Sequence, residues 1–103
     1  PDQRFVWIMG ADVFLELPRW KDWTRFMRSV PVAVFPRPTY SRRALSGQVA
    51  RRFARNRMPE ARAGSLASRR APAWVFFSSR PDPVSATRFR AALAGGAKTR
   101  GQE

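Results

Sequence analysis

The chain has 103 residues, 44% of them hydrophobic and 13% aromatic, with 20 basic side chains against 7 acidic ones for a net charge of +13. That is material for one small packed domain with polyanionic partners, and it disfavours both global disorder and a two-domain arrangement. With no cysteine and no histidine, it excludes disulfide frameworks, thiolate zinc sites and histidine-based triads or metallohydrolase centres.

No apolar run reaches the roughly 18–20 residues that span a bilayer, and Pro1-Asp2-Gln3-Arg4 lacks the charged-then-apolar layout of a signal peptide. No membrane partner is expected, and a cytoplasmic protein is the default. Entry into an apolar strand within four residues of Pro1 reads as the continuation of a longer chain.

Phe5-Val6-Trp7-Ile8-Met9 is a continuous apolar run of β-branched and aromatic residues, which predicts a strand buried on both faces. Gly10-Ala11-Asp12 follows at once, where glycine permits a close turn and Asp12 can cap a helix or accept hydrogen bonds from a sugar. Pro18 stops the short helical piece Val13 to Leu17 and leaves Arg19, Trp20 and Lys21 on an exposed corner. Asp22 then caps a helix whose stripe is Trp23, Phe26, Met27 and Val30. Val30 to Phe35 predicts a second strand, with Pro31 at its first residues or at an edge, and Pro36-Arg37-Pro38-Thr39-Tyr40 turns away from its carboxyl end.

Ser41 to Met58 is predicted as one arginine-rich surface helix with Ala44, Leu45, Val49 and Phe53 inward. Pro59 to Pro72, without periodicity, reads as a mobile loop. Ala73 to Ser78 is the third strand, and Arg80-Pro81-Asp82-Pro83 is a rigid connection. Ser85 caps a last helix through Leu93 that Gly95-Gly96 ends. Residues 97–103 are expected to be a disordered tail. Alternation of strand and helix predicts a parallel sheet with right-handed crossovers.

Three motifs stand at strand ends: Gly10-Ala11-Asp12 with Trp20 eight residues on, Arg37-Pro38-Thr39-Tyr40, and Val84-Ser85-Ala86-Thr87-Arg88-Phe89-Arg90. Their order and spacing resemble the C-terminal half of the bacterial nicotinate-nucleotide adenylyltransferases, within the nucleotidylyltransferase superfamily. The resemblance covers residues 1–96. It implies an incomplete Rossmann-like α/β fold, a parallel sheet with flanking helices whose N-terminal half, with its phosphate-binding loop and His-x-Gly-His signature, is absent.

The family transfers an adenylyl group from ATP to nicotinate mononucleotide, forming nicotinate adenine dinucleotide and pyrophosphate on the route to NAD, with Mg2+ accompanying ATP. By resemblance Gly10, Asp12, Ser85, Thr87 and Arg90 face ATP, Asp12 holding the adenosine ribose. Trp20 stacks on the pyridine ring, the Lys21 main chain helps to hold the nicotinate carboxylate, and Arg37 grips the mononucleotide phosphate. No catalytic residue is carried over, because the expected histidines belong to the absent half, and this chain alone is expected to be inactive. Ala86, Phe89, Val13 and Thr39 depart from the family pattern, Thr39 standing where glycine is usual.

Physical chemistry gives the same residues plain alternative duties: Asp12 as a helix cap, Trp20 as a core anchor, Arg37 as one solvated guanidinium among many, Ser85 as an ordinary cap. Two other functions fit parts of the sequence. A related enzyme such as pantetheine-phosphate adenylyltransferase shares the Ser-Ser-Thr type of motif but lacks Gly-Ala-Asp followed by Trp. A small basic nucleic-acid-binding domain would use Arg42 to Arg57, although nucleic acid is not the expected partner. The first strand would lack a neighbour on one side, an edge open to self-association.

Overall fold

The structure is a computed structural model that describes residues 5–78, 83–94 and 98–102. Among them, a five-stranded sheet carries the fold, in the spatial order β3-β4-β2-β1-β5. Its strands are β1 (Phe5–Gly10), β2 (Val32–Phe35), β3 (Arg57–Met58), β4 (Trp74–Phe76) and β5 (Lys98–Gln102), and every pairing is parallel. The result is a Rossmann-like α/β arrangement, as the alternating pattern predicts.

Side chains on successive strand residues point to opposite faces, and both faces are packed. Met9, Val32, Val34, Trp74 and Phe76 belong to one core with Phe14, Leu17 and Met27. Val6, Ala33, Val75 and Phe77 belong to another with Leu66 and Phe89. The apolar runs therefore lack polar alternation because neither face meets water. Burial of Val32, Val34 or Val75, each fully enclosed, contributes about 1.5–3 kcal/mol apiece. Trp74 also donates its indole N–H to the Phe53 carbonyl at 2.8 Å, which satisfies the one polar atom this large side chain takes inside.

The first face is covered by α1 (Ala11–Glu16), α2 (Trp23–Met27), α3 (Ser41–Leu45) and α4 (Gln48–Arg52). The second is covered by a run of 3₁₀ turns at Glu60–Ser68 and by α5 (Pro83–Ala94), which pack against each other. No helix among the described residues is long and apolar enough to cross a membrane.

Several local expectations are corrected. The helix expected over 41–58 breaks at Ser46-Gly47, where a Cβ on Gly47 would lie 3.1 Å from Leu15 Cδ1 and 3.3 Å from two carbonyl oxygens of α3. The chain restarts there as α4 and ends in the short edge strand β3. The loop expected over 59–72 is packed: Ala63 and Leu66 are fully buried, three residues apart as 3₁₀ geometry requires for one face.

Helix α1 begins at Ala11 rather than Val13, and Pro18 lies inside a 3₁₀ turn, Leu17–Arg19. Asp22 holds the cap position of α2 in a left-handed conformation, φ 57°, and makes no side-chain capping bond. Pro31 lies just before β2, and its carbonyl accepts from Trp7 N–H at 2.9 Å.

Ser85 is the third residue of α5 rather than its cap, since Pro83 has the φ that a first helical turn needs. The connection at 80–82 and Gly95-Gly96 fall outside the described residues. Residues 98–102, expected in a disordered tail, form β5 against β1 over Phe5 to Met9. Parallel pairing needs only main-chain groups, so Lys98-Thr99-Arg100-Gly101-Gln102 forms a strand without an apolar pattern. The open edge expected at β1 is thereby covered.

Candidate functional site

In open parallel sheets the carboxyl ends of the strands are where side chains from different loops meet. Gly10 ends β1 and Phe35 ends β2, paired in register. Beyond them the chain turns into α1 on one side and into the Arg37 loop on the other. Asp12 and Arg37 cross directly over Gly10. A Cβ on that glycine would lie 2.6 Å from Arg37 Nε and 2.6 Å from Asp12 Oδ1. Its backbone is ordinary, φ −81° and ψ 165°, so the glycine is required by the close approach and not by its dihedral angles.

Asp12 and Arg37 form an ion pair, Nε to Oδ1 at 3.5 Å, with side chains 39% and 41% exposed respectively. Asp12 Oδ1 is itself enclosed and has no hydrogen-bond partner, so the contact is electrostatic rather than a formed hydrogen bond. At this exposure the pair stabilises the fold by only about 0–1 kcal/mol. Its consequence is orientation, since it aims a carboxylate and a guanidinium at the same space.

The Arg37 loop is held from behind. Arg37 N–H donates to Ser41 Oγ at 3.0 Å, and Ser41 Oγ–H returns to the Arg37 carbonyl at 3.2 Å. Tyr40 and Ser41 N–H also donate to that carbonyl, at 3.0 and 3.1 Å. Thr39 closes the turn at φ 71°, a left-handed conformation that a β-branched residue adopts at a cost of about 1–2 kcal/mol. This accounts for glycine being the expected residue at that position.

Asp12, Val13, Glu16, Trp20 and Tyr40 line one hollow of about 330 Å³. Trp20 is half-buried, its ring set edge-on to Phe26 with centroids 5.4 Å apart, and its main-chain N–H donates to the Leu17 carbonyl at 2.9 Å. It is thus both anchored in the core and presented to the hollow. Tyr40 is the second aromatic residue of the lining, with the Arg43 guanidinium 5.8 Å from its ring centre. Glu16 is paired with Arg19 at 3.1 Å, which offsets one of the two negative charges bordering the hollow. Lys21 is exposed beside Trp20.

Of the residues singled out in the sequence, Gly10, Asp12, Trp20 and Arg37 are thus brought together, with Lys21 adjacent. Ser85, Thr87 and Arg90 are not among the residues of this hollow. Ser85 is only 2% exposed, on the packed side of α5, whereas Thr87 and Arg90 are exposed. Ser41, and Tyr40 beyond its place in the Arg37-Pro38-Thr39-Tyr40 motif, were given no site role by sequence reasoning. Their signal was position, immediately after the rigid Pro36-Arg37-Pro38 corner. Among the described residues no group of three His, Cys, Asp or Glu could hold a metal ion, so the donor set does not make a protein cage for Mg2+.

Fold and hollow define a class, a parallel Rossmann-like α/β domain with its aromatic and charged side chains gathered at the carboxyl edge of β1 and β2. No family model and no solved structure matches the chain. Curated sequences do. It is 49% identical over 87 residues to a probable nicotinate-nucleotide adenylyltransferase of Bradyrhizobium sp. (strain BTAi1), covering 84% of this chain and 45% of that protein. Proteins of the same name from Rhizobium meliloti (strain 1021) and Caulobacter sp. (strain K31) are 44% identical over 94 residues and 46% over 90. These matches cover 91% and 87% of this chain, and 50% and 48% of the relatives. Over most of its length the chain is therefore a relative of bacterial nicotinate-nucleotide adenylyltransferases, and it spans about half the length of the curated relatives it matches.

Proposed function

We propose that this chain carries the acceptor side of an adenylyl-transfer site, in which nicotinate mononucleotide and ATP give nicotinate adenine dinucleotide and pyrophosphate in the cytoplasm. The observation that carries the reading is the meeting of Asp12 and Arg37 over Gly10 beside the Trp20–Tyr40 hollow, in a chain whose relatives bear that name.

The chemistry asks for positioning and charge neutralisation, not for a covalent intermediate. An oxygen of the mononucleotide phosphate attacks the α-phosphorus of ATP, a bond forms there, and the bond to the bridging oxygen breaks as pyrophosphate leaves. In this reading the pyridine ring stacks on Trp20, and the Lys21 main chain holds the nicotinate carboxylate. The Arg37 guanidinium, on its clamped loop, takes the acceptor phosphate. The exposed part of the Asp12 carboxylate accepts from ribose hydroxyls of ATP, with Gly10 leaving room for the approach.

Thr87 and Arg90 reach the triphosphate from α5, and Ser85 joins them only if the packed side of that helix opens. Mg2+ would accompany the triphosphate and neutralise part of its charge, with no cage of protein carboxylates among the described residues to hold it. A hollow of about 330 Å³ is at the small end of ligand sites. It accommodates one ring and its sugar, and the nucleotide donor needs walls from elsewhere.

The test is pyrophosphate release from ATP and nicotinate mononucleotide, by this chain and by a chain extended to the length of its relatives. Background from the first and turnover from the second are expected. Turnover by the short chain would overturn its half-site role, and an inert extended chain would overturn the reaction. Trp20→Ala is expected to weaken mononucleotide binding about tenfold, since stacking of a flat ring on an aromatic side chain is worth about 1–3 kcal/mol. Tighter binding of a pantetheine phosphate than of nicotinate mononucleotide would move the assignment to the related enzyme.

A further inference from the structure

A second concavity, of about 420 Å³, lies at the far edge of the sheet, outside β3 and three strands away from β1. Arg55, Arg57, Arg62, Arg69 and Arg70 border it with Asn56, over a floor that includes Met58, Pro59 and Pro72. These arginines come from separate places: the 3₁₀ turn before β3, β3 itself, the 60–68 run and the segment leading to β4. No carboxylate is among the lining residues. Of the four described acids, Asp12 is paired with Arg37 and Glu16 with Arg19, Glu60 accepts from Ser78 N–H at 3.2 Å, and Asp22 is exposed before α2.

We propose that this concavity is a binding site for a linear polyphosphate, either a free inorganic chain or the phosphate tail of a nucleotide. Five arginines bordering one small basin give it a positive potential that suits an anion of several charges, and their planar forks match phosphate oxygens. Arg57 lies with its guanidinium carbon 5.4 Å from the Trp74 ring centre, and that indole is fixed by its bond to the Phe53 carbonyl. A stacked, pre-set guanidinium loses little freedom when it binds.

The shape favours a compact ligand over a nucleic acid. Single strands are gripped along an extended groove by exposed aromatic rings on which bases stack, and no aromatic residue lines this basin. The site does not depend on the reading of the Asp12 hollow, because the two share no residue.

The experiment is calorimetric titration of the chain with inorganic tripolyphosphate and with cytidine triphosphate in about 150 mM salt. Arginine Nε–H resonances are followed in parallel. One equivalent of tripolyphosphate should bind and shift the resonances of Arg57, Arg62, Arg69 and Arg70. A triple variant, Arg62→Gln with Arg69→Gln and Arg70→Gln, should weaken binding at least about tenfold. The charge-matched triple Arg28→Gln, Arg51→Gln and Arg52→Gln should weaken it less than about twofold, because the loss of net charge is the same and the basin is untouched.

Equal binding of cytidine triphosphate would mean that the site takes nucleotide tails, and weaker binding that it takes the free chain. An equal loss in both triple variants, a stoichiometry above one, or tighter binding of a single-stranded RNA with a steep salt dependence would overturn the proposal in favour of diffuse attraction to a basic surface.

Discussion

The carboxyl ends of β1 and β2 and the contact between α5 and the 60–68 run both depend on a glycine that lets two segments touch, but they differ in what touches. Over Gly10 the neighbours are side-chain atoms, Arg37 Nε and Asp12 Oδ1 each 2.6 Å from the place of a Cβ and Arg37 Cγ at 3.2 Å. Over Gly64 the nearest atoms belong to Arg88, its Cβ at 3.0 Å and its carbonyl oxygen at 3.2 Å. Side-chain ends can swing away, and a helix backbone cannot do so without moving the helix. The first glycine therefore guards an arrangement of functional groups, and the second guards the fold.

The sharpest way to break that distinction is to add one methyl group to each. Gly64→Ala should destabilise the chain by about 1–3 kcal/mol, as overpacking a closed contact does, read as a lower denaturation midpoint in urea. Gly10→Ala should cost less than about 1 kcal/mol of stability, because the pair it displaces is half-exposed. It should nevertheless weaken binding of nicotinate mononucleotide about tenfold by separating Arg37 from Asp12. If both variants lose similar stability and binding is unchanged in Gly10→Ala, the two contacts are of one kind. A smaller effect, opposite in sign, sharpens the comparison. Thr39→Gly should raise stability by about 1 kcal/mol by relieving the φ of 71°, with the Ser41 clamp and the site retained, as thermal denaturation with and without mononucleotide would register.

Legibility followed the same division. Strands β1, β2 and β4 could be read directly, since Val6, Val34 and Val75 lie in runs without polar interruption and are buried from both faces. Gly10, Asp12, Trp20 and Arg37 were legible because the motif spacing placed them at strand ends, and the register of β1 with β2 brings those ends together. Strand β3 was not, because two residues, one an arginine, carry no period. The fully buried residues of the 60–68 run are Ala63 and Leu66, too few apolar residues to stand out among Arg, Gly and Ser. Strand β5 is held by main-chain pairing that composition does not record. Ser85 reads as a cap in sequence, but a helix that begins at Pro83 turns it into the packed side.

The central claim is that the Asp12–Trp20–Tyr40 hollow, with Arg37 at its rim, receives the mononucleotide. It is tested most directly by titrating the chain with nicotinate mononucleotide while following the tryptophan indole N–H and arginine Nε–H resonances. The account predicts that Trp20 and Arg37 shift together, saturating at one equivalent, while Trp74 and Arg57, toward the β3 edge of the sheet, stay in place. Shifts confined to Arg57 and its neighbours, or none at Trp20 under saturating ligand, would contradict it.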